Sequence, residues 1–167
     1  MKPAQVLEDG LSRVREVVQA VTAGLDADQL AFRPSPQANS IAWLIWHLTR
    51  IQDDHISEVA GHDQTWTAAG WAARFALPLP VSQTGYGHDA DQVGAVRAPA
   101  ELLVGYHEAV YGESVAYLRT LADADLDRIV DRRWDPPVSL GVRLVSVIDD
   151  DAQHAGQAAY LRGLIGL

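Results

Sequence analysis

The sequence predicts an all-α protein, a four-helix bundle of one domain (1–167) with a long crossover between helices 2 and 3. Three observations carry that expectation. Four segments repeat apolar residues at spacings of three and four. Capping or helix-breaking residues bound them. No alternating stretch argues convincingly for a sheet. A chain of 167 residues fits one domain and can bury one core.

The first helix runs from about Pro3 to Ala23, with Val6, Leu7, Leu11, Val14, Val18 and Val21 as its stripe and Gly24 as its stop. Arg33-Pro34-Ser35-Pro36 cannot continue a helix. The second helix follows, capped by Asn39 or Ser40, whose side chains can accept from a free first-turn amide. It ends at Ala60 before Gly61 and places Leu44, His47, Leu48, Ile51 and His55 on or near one face. The third starts near Pro99, whose missing N–H suits a first helical position. Its stripe is Leu102, Leu103, Tyr106, Val110, Tyr117, Leu118 and Leu121. The fourth starts at Ser139, after Pro136-Pro137, and reaches Gly163 or slightly beyond on Leu140, Leu144, Val147, Ile148, Ala155, Ala158 and Leu161. Between helices 2 and 3 the stretch Gly61–Ala98 holds Trp66, Trp71, Pro78, Pro80, Gly85 and Gly87. So long a connection is a crossover or a functional loop, with at most short helical turns.

Hydrophobic residues at 48% and charged residues at 21% are globular values. The net charge of -9 repels phosphate backbones and anionic lipid, so nucleic acid and membrane are poor partners. No run of about 18 apolar residues is present. Met1-Lys2-Pro3-Ala4-Gln5 opens an amphipathic pattern rather than a signal peptide, so the cytoplasm is expected. Cysteine is absent, which rules out disulfides, thiolate ligands and a thiol nucleophile of the chain's own. Any thiol in the chemistry must arrive as a second substrate.

The chemistry-bearing stretch is Asp149-Asp150-Asp151-Ala152-Gln153-His154 in the fourth helix. Asp is a weak helix former, so three in a row inside an apolar-striped helix are unusual. Asp150 and His154, four apart, share a face with Cβ atoms roughly 5–6 Å apart. Such a pair can grip a metal ion or form an ordinary surface salt link. His47, inside Trp43-Leu44-Ile45-Trp46-His47-Leu48, is the best third ligand, because a desolvated imidazole needs a partner. Two imidazoles and a carboxylate leave open positions on zinc, as catalytic sites do, and also suit non-haem Fe(II). Asp149 and Asp151 are the alternates if the register is off by one.

Gln157 lies on the side of His154 and Asp150, where it can hold a water or substrate or simply bond inside the bundle. His88, in Gly85-Tyr86-Gly87-His88, is a candidate acid or base or an exposed loop histidine; its glycines permit close backbone approach. His55 reads as a polar end or a supporting group, His62 as exposed. His107 reads as part of a polar face with Glu108 and Glu113. Arg128, Arg132 and Arg133 read as a solvated basic turn or a carboxylate-binding group.

Ser40-Ile41-Ala42-Trp43-Leu44-Ile45-Trp46-His47-Leu48, with Gln153-His154-Ala155-Gly156-Gln157 and Ala158-Ala159-Tyr160-Leu161-Arg162, resembles the DinB-like family of metalloenzymes. That family includes thiol transferases and a thiol-dependent maleylpyruvate isomerase. Arg74-Phe75-Ala76-Leu77-Pro78 and Thr84-Gly85-Tyr86-Gly87-His88 resemble its actinobacterial-type branch. The family pattern places one ligand histidine in the second helix and a His-x-x-x-His-x-Gly-Gln signature in the last. The first histidine of that signature falls on Asp150, a departure that substitutes an anionic ligand or removes one. The resemblance implies a four-helix bundle, often dimeric, holding Zn or Ni, with Fe allowed by the ligand set. It implies a divalent-metal-dependent S-transferase or isomerase that uses a metal-activated small-molecule thiol or water. Metal ligands would be His47, Asp150 and His154, with Gln157 and His88 as assistants. The alternative is a non-catalytic bundle that binds a metal or a small ligand.

Overall fold

The computed structural model describes residues 1–166. Its four long helices are α1 (Pro3–Thr22), α3 (Ile41–Ala60), α7 (Ala100–Leu118) and α8 (Leu140–Ile165). Short helices α2 (Ala27–Leu30), α4 (Thr65–Ala68), α5 (Trp71–Phe75) and α6 (Ala90–Ala95) sit in the connections. A 3₁₀ turn (Asp123–Asp127) and strands β1 (Ile129–Asp131) and β2 (Val138–Ser139) lie between α7 and α8. β1 and β2 pair antiparallel, a small ladder that the absence of alternation did not foretell. Among the described residues no helix is long and apolar enough to cross a membrane.

Ser40 caps α3 by accepting from the amide of Trp43, and Gly61 ends it in the left-handed conformation (φ 78°). Ser139 caps α8 in the same way. Pro99 is the residue before α7 rather than its first helical position. In α1 the buried stripe is Leu7, Leu11, Val14, Val18 and Val21, whereas Val6 is mostly exposed.

Each long helix packs on two others: α1 and α3 both lie against α7 and α8, and barely touch each other. The segment 61–99 crosses over the outer side of α3, so 15 of its 20 residues are buried and it is shielded on nearly all sides. The core forms two apolar clusters. One gathers Val14, Val18, Leu44, Leu48, Val110 and Ala155 with the crossover aromatics Trp66 and Phe75. The other gathers Leu7, Leu11, Ile56, Leu118 and Val147. Between them, four residues from a member of each cluster, stand the buried polar residues Gln52 on α3, Ser114 on α7 and Asp151 on α8. Gln52 Nε2 donates to Ser114 Oγ at 2.8 Å.

Candidate metal centre

α3 and α8 run antiparallel, with Arg143 opposite His55 and Glu58 at one level and His154 beside His47 at the other. Ligand atoms of His47, Asp150 and His154 all lie within 4.8 Å of one another. His47 is buried, and the other two are partly exposed on the same side. Of the three successive carboxylates, Asp150 is the one brought to the histidines. Asp149 is exposed and accepts from Gln153 at 2.8 Å. Asp151 is fully buried in the polar layer of the core, where burial pushes its pKa well up.

Each imidazole is held by its far nitrogen. His47 Nδ1–H donates to the carbonyl of Thr84 at 2.6 Å. His154 Nδ1–H donates to Gln157 Oε1 at 3.2 Å. Both Nε2 atoms therefore keep their lone pairs, as metal-ligating histidines do when a carbonyl or amide oxygen fixes the tautomer. Trp43 stacks on His47 with centroids 4.5 Å apart and meets His154 edge-on at 6.1 Å. The crossover approaches His47 at Gly85. A Cβ there would lie 2.5 Å from His47 Nδ1, and φ is +99°, so glycine is required on both counts.

The charges at the site oppose one another. Burial lowers the pKa of His47, against the pull of the Thr84 carbonyl. Burial pushes Asp150 upward, but the neighbouring histidines, His154 first, bring it below its ordinary value. The Asp150 carboxylate in turn raises His154. His154 Nε2 and Asp150 Oδ1 stand 3.6 Å apart, long for a hydrogen bond. Asp150 Oδ2 is buried with no partner among the described residues. Two lone-pair donors facing each other beside an unpartnered carboxylate oxygen repel unless a proton or a cation lies between them. The N,N,O donor set therefore fits a divalent transition metal.

The other candidates are placed as follows. Gln157 touches His154 directly. His88 accepts from Trp43 Nε1–H at 3.2 Å and donates from Nε2 to Gln83 Oε1 at 2.9 Å, so both its nitrogens are engaged. Its ring also stacks near Trp46. His55 accepts from Arg143 at 3.0 Å. His62 is exposed and bonds to the carbonyl of Asp63. His107 does not lie on a polar face: it is 1% exposed, with neither ring nitrogen bonded among the described residues. Arg133 pairs with Asp131, and Arg128 donates to the carbonyl of Val59 and to Tyr117.

Sequence reasoning missed the support beneath the crossover. Arg50 and Asp53, buried on α3, sit 3.8 Å apart. Asp53 accepts from the amides of Thr65 and Trp66 at 2.9 and 2.7 Å and from the Tyr106 hydroxyl at 2.7 Å. Arg50 donates to Gln64 and to the carbonyl of Gln83, the residue before Thr84. Two opposite charges three apart within so apolar a helix were the available signal.

No curated protein matches the chain. A crystal structure described as a conserved protein from Enterococcus faecalis is 34% identical, with a TM-score of 0.93, over 99% of this chain and 98% of that one. The family model for mycothiol-S-transferase matches residues 6–166. With that match over nearly the whole length, and with the DinB-like motifs of helices α3 and α8, the chain belongs to the mycothiol-S-transferase family.

Proposed function

We propose that this protein is a divalent-metal-dependent enzyme that joins the sulfur of a small-molecule thiol to an electrophilic substrate, or isomerises a substrate with the thiol's help. The observation that carries the reading is the pair of Nε2 lone pairs and the unpartnered Asp150 carboxylate turned on one point. His47, His154 and Asp150 would hold the ion, zinc or nickel by family resemblance and iron by donor set. A divalent cation there supplies the positive charge that lowers the pKa of a thiol or water.

The chain's own residues orient and enclose. Thr84 and Gln157 fix the two imidazoles. Trp43 walls the site against His47, and His88 assists by holding the Trp43 indole. A chain without cysteine receives its thiol from solution, and a mycothiol-like molecule fits the family. The reading includes a four-helix bundle formed by α1, α3, α7 and α8 and a cytoplasmic setting. It also includes a homodimer through helix faces, favoured by Val142 and Val145, each more than half exposed on α8. A dimer mass by light scattering at micromolar concentration tests the last point.

The decisive experiment measures thiol conjugation to an electrophile by protein as purified, stripped by chelator and reloaded with zinc or nickel. Activity should vanish on stripping and return with about one equivalent of metal per chain. The second reading, a metal- or small-ligand-binding protein without turnover, is favoured by Asp150 standing where the family pattern has histidine. Stoichiometric metal with no conjugation across several thiol and electrophile pairs would select it.

A further inference from the structure

Beside the candidate centre, a groove opens between the turn-rich segment preceding α3 and the C-terminal half of α8. Its volume is 460 Å³, within the roughly 300–1,000 Å³ of small-molecule sites. Pro34, Ala38, Leu44 and Tyr160 give it apolar walls, and no charged residue lines it. None of the three candidate ligands lines it, and its link to the site is Gln157, which touches His154.

Two features bind the groove to the chemistry. Gly156 lies within α8, although glycine is the poorest helix former after proline. Packing does not require it, since a Cβ there would meet nothing within 4 Å. The space it leaves belongs to the groove. Gln157, the next residue, also lines the groove while its oxygen holds His154. Its amide N–H groups have no protein partner among the described residues, so they can donate to a ligand carbonyl.

The hollow on the other side of the site along α3 has the opposite character. Its volume is 780 Å³, and charged residues of both signs line it, Asp54, Glu58 and Asp63 together with Arg133. A polar, hydroxyl-bearing thiol matches that surface and not the apolar groove.

We propose that the groove beside Gly156 and Gln157 binds the electrophilic substrate by an apolar, carbonyl-bearing body. The assignment rests on the thiol-transfer reading for the order of events, but binding itself needs neither metal nor turnover. The groove thus selects acceptors by apolar size.

Unreactive imides test this: N-methyl-, N-cyclohexyl- and N-phenylsuccinimide, titrated by NMR into metal-free and zinc-treated protein. Affinity should rise about tenfold or more from methyl to phenyl. Shifts should centre on Ala38, Leu44 and Tyr160. Gly156→Leu should remove the size dependence with an unchanged or higher melting temperature, because leucine favours the helix. Tyr160→Ala, at a side chain already 69% exposed, should weaken the phenyl compound about threefold without unfolding the protein. Affinity independent of apolar size, shifts centred on Asp54 and His55, or unaltered binding by both variants would overturn the proposal. Imide binding without any metal uptake would leave the groove standing and remove the metalloenzyme reading alone.

Discussion

His47 donates its Nδ1 proton to the main-chain carbonyl of Thr84, thirty-seven residues later, at 2.6 Å. The crossover therefore acts directly on the candidate centre: one of its carbonyls aims an imidazole on α3. Gly85→Ala would drive a Cβ against that imidazole and force an alanine to φ +99°. Metal affinity should fall about tenfold or more, and stability by about 1–3 kcal/mol. Zinc competition against a chromogenic chelator and thermal melts of the same samples check both effects.

Metal content after identical purification should separate the three carboxylates of α8. His47→Ala and His154→Ala should lose the ion, and Asp150→Ala should hold it at least about tenfold more weakly. Asp149→Ala should keep it, since that side chain is exposed and bonded to Gln153. Full occupancy in the Asp150 variant together with loss in the Asp149 variant would contradict the assignment.

His107 should make the protein acid-sensitive. Burial pushes its pKa down to about 4, against the opposing charge of Glu108 and with a further downward push from Arg15. An unfolded chain takes up that proton near pH 6.5, and the folded protein resists it until about 4. Stability should therefore fall as pH drops through this window, by roughly 3 kcal/mol for this group alone. His107→Leu should flatten that part of the pH profile in urea unfolding. An unchanged slope between pH 6.5 and 4 would exclude His107 as its source.

Asp53 should be among the costliest residues to remove. Asp53→Ala strands the buried Arg50 and frees the amides of Thr65 and Trp66, for an expected loss of about 3–5 kcal/mol. Tyr106→Phe removes two contacts of a neutral hydroxyl from the same network, the bond to Asp53 and the longer one from Arg50, but leaves the Arg50–Asp53 pair in place and should cost about 1–2 kcal/mol. Denaturant midpoints at constant slope measure both, and equal losses would contradict the ranking.

The long helices were legible because their burial follows their apolar spacing, as in Leu7, Leu11, Val14 and Val18. The crossover was expected to hold at most short helical turns, and α4, α5 and α6 are such turns, but neither they nor α2 could be placed, since four to six residues carry too little period. Asp150 and His154 could be paired because four residues make one turn. Thr84 could not be found, because it contributes a main-chain carbonyl that any residue would supply. The misreading of His107 has a similar cause. Successive residues on a helix point about 100° apart, so Glu108 reaches Arg15 at 2.7 Å while His107 turns into the core.

The polar layer of Gln52, Ser114 and Asp151 lowers the apolar content of the core between its two clusters. Its consequence is an index. A uniformly apolar seam leaves neighbouring helices free to slip by a turn at small cost, and a single polar position among apolar ones fixes the alignment. Sliding α3 by one turn along α7 would break the Gln52–Ser114 bond and move His47 about 5.4 Å along its axis. A bond between two uncharged side chains thus works as a ratchet pawl, setting the height at which α3 presents His47.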